Sequence, residues 1–460
     1  MRVRQWFVCA DTPSKRRSSW LAGILFEVPA VCRAFAYVQA FTAFLWLAFG
    51  GVARAQEAIR SSLAGEEAAN SRPTDTAPRG TFFRAGPFSF SADLSLEAEY
   101  NDNINLVDRK ATAPVVADFV LRPRLTVRSN LLLTPRNNLA FDVGVGVDRY
   151  LGHSDRNNSS LSLAPGSQVT FNLYAGDFRF TFYDRFSLQQ NPVSQATLSN
   201  TSQYGIFRNA AGTTALWDLS DLILAVGYER DNSISTVQDY DFSDYTQDVY
   251  YASLTAPLAS NFFAGARAIY TVTDYTSDTR AGAQSLSLGG FVEGELTKYT
   301  RVSAFAGYRR YDFNSAFPFS LQQSSRQLIE DLDGDSSFFV TLGIINRLNL
   351  SVSQSLTARY ERRLGFSAPL EDYSDVRYGL QWRVNSTLGV SVQMFYEHLA
   401  EKGTVPNEEL DRLGAIVSLA FQVTPRTAAT LFYTWIQKDS NLPLQDYQQN
   451  VYGIELRYTF

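Results

Sequence analysis

From Pro87 to Phe460 the chain keeps one rhythm: ten to fifteen residues in which apolar and polar side chains alternate, a tight turn, a second alternating stretch, then a longer polar loop. Successive side chains of an extended strand point to opposite faces, so this alternation predicts strands with one greasy and one polar side. The final stretch is the clearest. Tyr452, Ile454, Leu456, Tyr458 and Phe460 share one face, and Val451, Gly453, Glu455, Arg457 and Thr459 share the other. Ala92, Leu94, Leu96, Ala98 and Tyr100 alternate with Asp93, Ser95, Glu97 and Glu99 in the same way, as do Val376, Tyr378, Leu380, Trp382 and Val384 with Arg377, Gly379, Gln381 and Arg383.

Eight short connections punctuate the pattern, at Asn130–Asn137, Ala175–Asp177, Leu219–Asp221, Ala259–Asn261, Lys298–Arg301, Asn346–Asn349, Asn385–Thr387 and Thr424–Arg426. With longer polar loops between them they predict an all-β fold, a transmembrane antiparallel up-and-down β-barrel of about 18 strands, with 16 as the next count. A soluble sandwich also alternates, but its apolar faces meet in a core. Tyrosine placement favours the barrel: Tyr100, Tyr228, Tyr270, Tyr308, Tyr360, Tyr396 and Tyr433 fall near the ends of successive strands, where a membrane interface buries the ring and wets the hydroxyl. Two residues go against the pattern. Pro123 removes a ladder donor from Phe119–Val127, and Gln354 falls on the apolar face.

Composition agrees. Aromatic residues make up 14%, with 33 Phe and 24 Tyr, while mean hydropathy is slightly negative, so apolar residues must be interleaved with polar ones. The N-terminal 55 residues differ. Lys15, Arg16, Arg17 and Arg33 precede an apolar run, Ala34–Gly50, and Ala53-Arg54-Ala55 is an A-x-A cleavage site. Residues 1–55 therefore read as a signal peptide, against the alternative of an N-terminal transmembrane helix. Residues 56–86, rich in Ala, Ser, Glu, Thr and Pro and without periodicity, read as a flexible periplasmic arm, and residues 87–460 as the barrel. Cys9 and Cys32 both lie in the leader, so the exported chain needs no disulfide. Without the leader the chain keeps 34 basic and 44 acidic residues, a balance that argues against nucleic acid as a partner.

A barrel of this size encloses a lumen, and the polar faces line it. Arg122, Arg124, Arg128, Arg179, Arg185, Arg267, Arg309, Arg359, Arg377, Arg383 and Arg457 all fall there. A guanidinium is a fixed, always-charged fork, so such a set reads as a path for anions. Asp93, Glu97, Glu99, Asp142, Asp148, Glu229, Glu361 and Glu455 share the space, and the alternative is a cross-strand ion-pair lattice that braces the wall. The arm is too short for a folded plug, so any constriction must come from loops, with 190–204 and 314–336 the candidates and a solvated surface loop the alternative for each.

Catalytic signals are thin. His153-Ser154-Asp155 has the residue types of a barrel hydrolase only in sequence order, and His398 stands alone. The acidic run 330–335 lacks the ligand spacing of a calcium loop, and no zinc spacing or phosphate-cradling glycine loop occurs. No enzyme, metal or cofactor is expected.

Tyr100-Asn101-Asp102-Asn103-Ile104, closing the first strand after a short arm, resembles the putative β-barrel porin 2 family of outer-membrane proteins. That resemblance implies an outer-membrane barrel, some members being associated with capsular or exopolysaccharide export and others with unassigned porin roles. It carries over no functional residue. The last strand resembles the C-terminal signal by which outer-membrane barrels are recognised for insertion, with Tyr458 and Phe460 as its aromatic residues, which implies the barrel assembly machinery, outer-membrane lipid and lipopolysaccharide as partners. The function expected first is a porin-like channel for small solutes. A conduit for exported polysaccharide is the alternative, followed by a barrel enzyme or structural anchor.

Overall fold

The computed structural model describes residues 83–159, 161–219, 221–313 and 332–460. The expected signal peptide, most of the arm and most of the 314–336 loop lie outside the described residues. Alternation is realised as a single antiparallel sheet of twenty strands. They are β1 (Phe83–Ala85), β2 (Phe88–Asn101), β3 (Asp118–Leu132), β4 (Asn138–Val147), β5 (Arg149–Tyr150), β6 (Leu161–Ala175), β7 (Phe178–Gln189), β8 (Ile206–Asp218), β9 (Ile223–Ser235) and β10 (Tyr245–Ala259). There follow β11 (Phe262–Tyr275), β12 (Ala283–Thr297), β13 (Thr300–Phe313), β14 (Ser336–Arg347), β15 (Val352–Leu364), β16 (Leu370–Arg383), β17 (Leu388–Lys402), β18 (Glu409–Thr424), β19 (Thr427–Ser440) and β20 (Tyr447–Thr459).

Each long strand pairs with its chain neighbours, and β2 also pairs with β20, Tyr100 opposite Tyr452, so the sheet closes on itself. β1 is a three-residue extension beside β2, and β5 continues β4, which leaves a wall of eighteen strands. All eight expected tight turns are found, at one end of the barrel, and the longer loops gather at the other.

Pro123 explains the break between β4 and β5. It lies in β3 opposite Leu96. The β3–β4 ladder stops at Arg124–Gly146 and resumes in the same register at Leu121–Arg149. A proline has no N–H to give, so the ladder skips the residues facing it without slipping.

The two faces separate cleanly. Leu94, Leu254, Leu288, Leu342 and Leu456 are exposed on the outside, as are Tyr250, Tyr308 and Tyr452. Such an exterior is what a bilayer requires of a spanning sheet, since closure satisfies every edge. The expected tyrosine belt is present and its rings meet at a tilt across strands: Tyr433 with Tyr452 at 4.9 Å, Tyr100 with Phe119 at 5.0 Å, Tyr228 with Tyr250 at 5.1 Å. Its hydroxyls donate toward the loop end, Tyr228 to Asp248 at 2.7 Å, Tyr270 to Gln284 at 2.9 Å and Tyr433 to Asn450 at 2.8 Å. Outward Gln354 is accommodated because the Tyr378 hydroxyl, one strand away, donates to its amide oxygen at 3.2 Å.

On the inner face, rings lie flat against the wall where the neighbouring strand offers a glycine. Tyr251 faces Gly227, Phe395 faces Gly414, and Phe432 faces Gly453 in register, and a Cβ at any of these glycines would overlap the ring. The rings thereby fill the wall rather than the bore.

Candidate functional site in the lumen

Period-two alternation places all eleven expected arginines on strands with their polar faces inward, and register decides what each meets. Carboxylates hold many of them. Arg122 is bound by Glu97 at 2.9 Å, by Glu99, and by Asp148 at 3.5 Å. Arg128 pairs with Asp93 and with Asp142 at 3.1 Å, and Arg185 with Glu229. Arg309 reaches Glu361 at 3.3 Å, Arg359 reaches Asp375 at 3.1 Å, and Arg377 bridges Asp375 at 2.8 Å and Glu397 at 2.5 Å. Arg457 pairs with Glu455 at 2.7 Å. Arg267 stacks between the rings of Phe291 and Phe305, 5.8 and 5.3 Å from their centroids. Arg124 lies half-buried near Asp148, Arg179 at the turn end of β7, and Arg383 is exposed beside a vestibule of about 790 Å³ at the turn end.

A strap crosses the lumen near the loop end. It is the β7–β8 connection, residues 190–205, whose one helical turn, Pro192–Ser194, is capped by the Asn191 side chain. Arg412 on β18 donates to the Val193 carbonyl at 2.6 Å, and Lys438 on β19 donates to the Thr197 carbonyl at 2.9 Å and to Ser199 Oγ at 3.0 Å. Farther along, the Ser199 hydroxyl and the Asn200 amide donate to the carbonyls of Gln445 and Leu444. β7 and β18 are seven strands apart by the shorter way round a wall of eighteen, so these bonds join nearly opposite sides. Lys438 is wholly buried, and its charge is matched by Glu408 at 2.8 Å. Apolar contacts finish the docking: Ala196 lies against Tyr373, Leu399 and Leu410. Of the two loops expected to fold inward, this one does.

A second contact roofs the space beside the strap. Arg280, in the β11–β12 loop, donates to the carbonyls of Gly365 and Phe366 at 2.8 Å and of Ala368 at 2.9 Å, with its guanidinium 4.0 Å from the Tyr275 ring centroid. Burial draws its pKa downward, and nearby Tyr275 and Glu371 oppose the shift. Strap and roof bound a chamber of about 780 Å³. Arg208, Arg280, Arg309, Arg359, Arg363, Arg377 and Arg412 line it, against only two carboxylates, Glu371 and Glu397. Of these, Arg208, Arg280, Arg363 and Arg412 were not among the expected residues, although Arg208, Arg363 and Arg412 obey the same alternation.

The histidines have structural partners. The Asp118 carboxylate accepts from the Gly152 and His153 amides at 2.7 and 3.0 Å and meets the His153 ring at 2.9 Å, so His153 is oriented by Asp118. His398 meets Asp411 at 3.0 Å on the outer face. The described part of the acidic run is also structural: Asp333 accepts from the Phe313 amide at 2.8 Å, and Asp335 pairs with Arg362. The Tyr100–Ile104 stretch stitches the first loop to the last strand. Asp102 accepts from the Asn450 amide at 2.7 Å, the fully buried Asn103 donates to the Gln448 carbonyl at 3.0 Å, and Gln449 donates to the Asn103 carbonyl at 2.8 Å.

No protein-family model matches the sequence, and no curated protein matches it. Solved structures resemble the fold. OccK2 (OpdF) of Pseudomonas aeruginosa aligns with a TM-score of 0.48 at 10% identity, covering 81% of this chain and 98% of that one. OpdK of Pseudomonas aeruginosa, crystallised with vanillate, aligns with a TM-score of 0.46 at 10% identity, covering 81% and 99%. OccAB3 of Acinetobacter baumannii aligns with a TM-score of 0.45 at 12% identity, covering 81% and 99%.

Proposed function

We propose that the chain is an outer-membrane channel that passes small anionic solutes through a constricted lumen, its short turns in the periplasm and its long loops outside. The observation that carries this reading is the chamber beneath the strap, where seven arginines face two carboxylates. A volume of about 780 Å³ fits a small organic acid and its waters, and it is far from a wide aqueous bore. In this reading residues 1–55 are the cleaved export signal, Tyr458 and Phe460 are read by the barrel assembly machinery, and lipopolysaccharide surrounds the loop end. The paired arginines then serve twice, bracing the wall and keeping the local potential positive. A strap sewn across the lumen leaves no straight bore for a polymer, which weighs against polysaccharide export.

Planar bilayers test the proposal. Purified protein should give discrete conductance steps, and a salt gradient should give a reversal potential of the sign for anion preference. A folded barrel that stays silent, or one that prefers cations, overturns it. Loss of surface polymer on deletion of the gene would favour the export reading instead.

A further inference from the structure

Six of the seven arginines lining the chamber are already engaged. Arg309, Arg359, Arg363, Arg377 and Arg412 are in ion pairs, with Glu361, Asp375, Glu371, Asp375 and Glu397 as respective partners, and Arg280 is spread over three carbonyls. For any of these to grip a solute, an existing bond must yield. Arg208 differs. It projects from β8 into the chamber, is exposed there, and makes no hydrogen bond or ion pair with any described residue. Register explains this. The residues directly opposite are Ser187 on β7 and Ser233 on β9, too short and uncharged to hold a guanidinium. The neighbouring carboxylate, Asp231, sits a diagonal step away opposite Ala210, near enough to feel the Arg208 charge but without an ion pair to it, and accepts from the Tyr245 hydroxyl at 3.4 Å.

We infer that Arg208 is the residue that captures the carboxylate of a passing solute, while the paired arginines supply background potential. The inference rests on the proposed anion channel and names its specificity-determining residue. A solvated guanidinium outside any ion pair has no direct bond to break when it binds a planar carboxylate in bidentate geometry. Gln195, Ser243 and Gln247, which also line the chamber, are neutral hydrogen-bonding groups suited to hydroxyl or carbonyl oxygens of the same solute.

The test compares the full chain with its Arg208→Gln, Arg208→Lys and Arg359→Gln variants in planar bilayers, with succinate as the probe. Two quantities are read, the anion-to-cation permeability ratio and the succinate concentration that halves the current. Arg208→Gln should lower the ratio and raise the half-blocking concentration roughly tenfold, the loss of about one bidentate contact. Arg208→Lys should keep the ratio but weaken the block, because an ammonium lacks the fork. Arg359→Gln, which alters a chamber arginine already paired with Asp375, should weaken the block by less than Arg208→Gln does. Heat-modifiable gel migration checks that each barrel is closed. Wild-type block and selectivity in a folded Arg208→Gln barrel overturn the inference and leave the anion channel standing. A wild-type channel without anion preference overturns both. If Arg208→Gln does not assemble, a folded Arg208→Lys barrel with undiminished block decides against the inference.

Discussion

Glu397 shows what a single side chain does in this wall. Buried on β17, it takes Arg412 Nε at 2.7 Å on one oxygen, and on the other Arg377 Nη2 at 2.5 Å and the Tyr373 hydroxyl at 3.0 Å. Its removal takes the carboxylate from buried Arg412 and leaves Arg377 with Asp375 alone, so Glu397→Ala should cost about 3–5 kcal/mol and lower the temperature at which the barrel loses its heat-modifiable band. Glu455, paired with a largely exposed Arg457, is the contrast: Glu455→Ala should cost at most about 1 kcal/mol and leave that temperature almost unchanged. At this scale the sequence reveals faces but not neighbours. Alternation placed the inward arginines without stating that Arg377 meets Glu397 twenty residues away, because partners follow from register. Arg412 escaped for another reason. Leu410 beside it and Leu399 on the next strand point inward and are apolar because the strap lands on them, which blurs the polar face.

At the scale of elements, the strap is the part that sets the bore, and two buried cations hold it to the far wall. Lys438→Met keeps the side chain's bulk but removes the donors to Thr197 and Ser199, so the strap should loosen and single-channel conductance should rise. Replacing residues 193–200 with a Gly/Ser segment of equal length should raise it as well, and Lys438→Met should add nothing in that background. Unchanged conductance in both variants would show that the strap does not limit flow. Within the wall, Gly227 makes room for the Tyr251 ring. Gly227→Val should reduce the yield of closed barrel, and a second change, Tyr251→Ala, should recover part of it, as assembly in detergent or liposomes will report. The strands, their turns and the tyrosine belt were legible, because each repeats a local rule. That a 190–204 loop folds inward was only one of two readings, because its docking contacts come from strands more than two hundred residues later in the chain.

For the whole molecule, the strand number followed from counting turns, since eight tight connections and the loops between them fix eighteen strands once the sheet closes. Closure was expected with the barrel, but the residues that seal it could not be read, because alternation alone does not say what β2 and β20 exchange. The structure places that seal in the Tyr100–Ile104 stretch. Its bonds to Gln448, Gln449 and Asn450 span almost 350 residues, so none can form until the first and last strands have met. The stitch therefore works as a report of completion rather than as a brace for the growing sheet. An Asn103→Ala variant should pair its strands at the normal rate and yet stall as an open, protease-sensitive sheet, with the seam and not the wall as the place where the molecule comes undone.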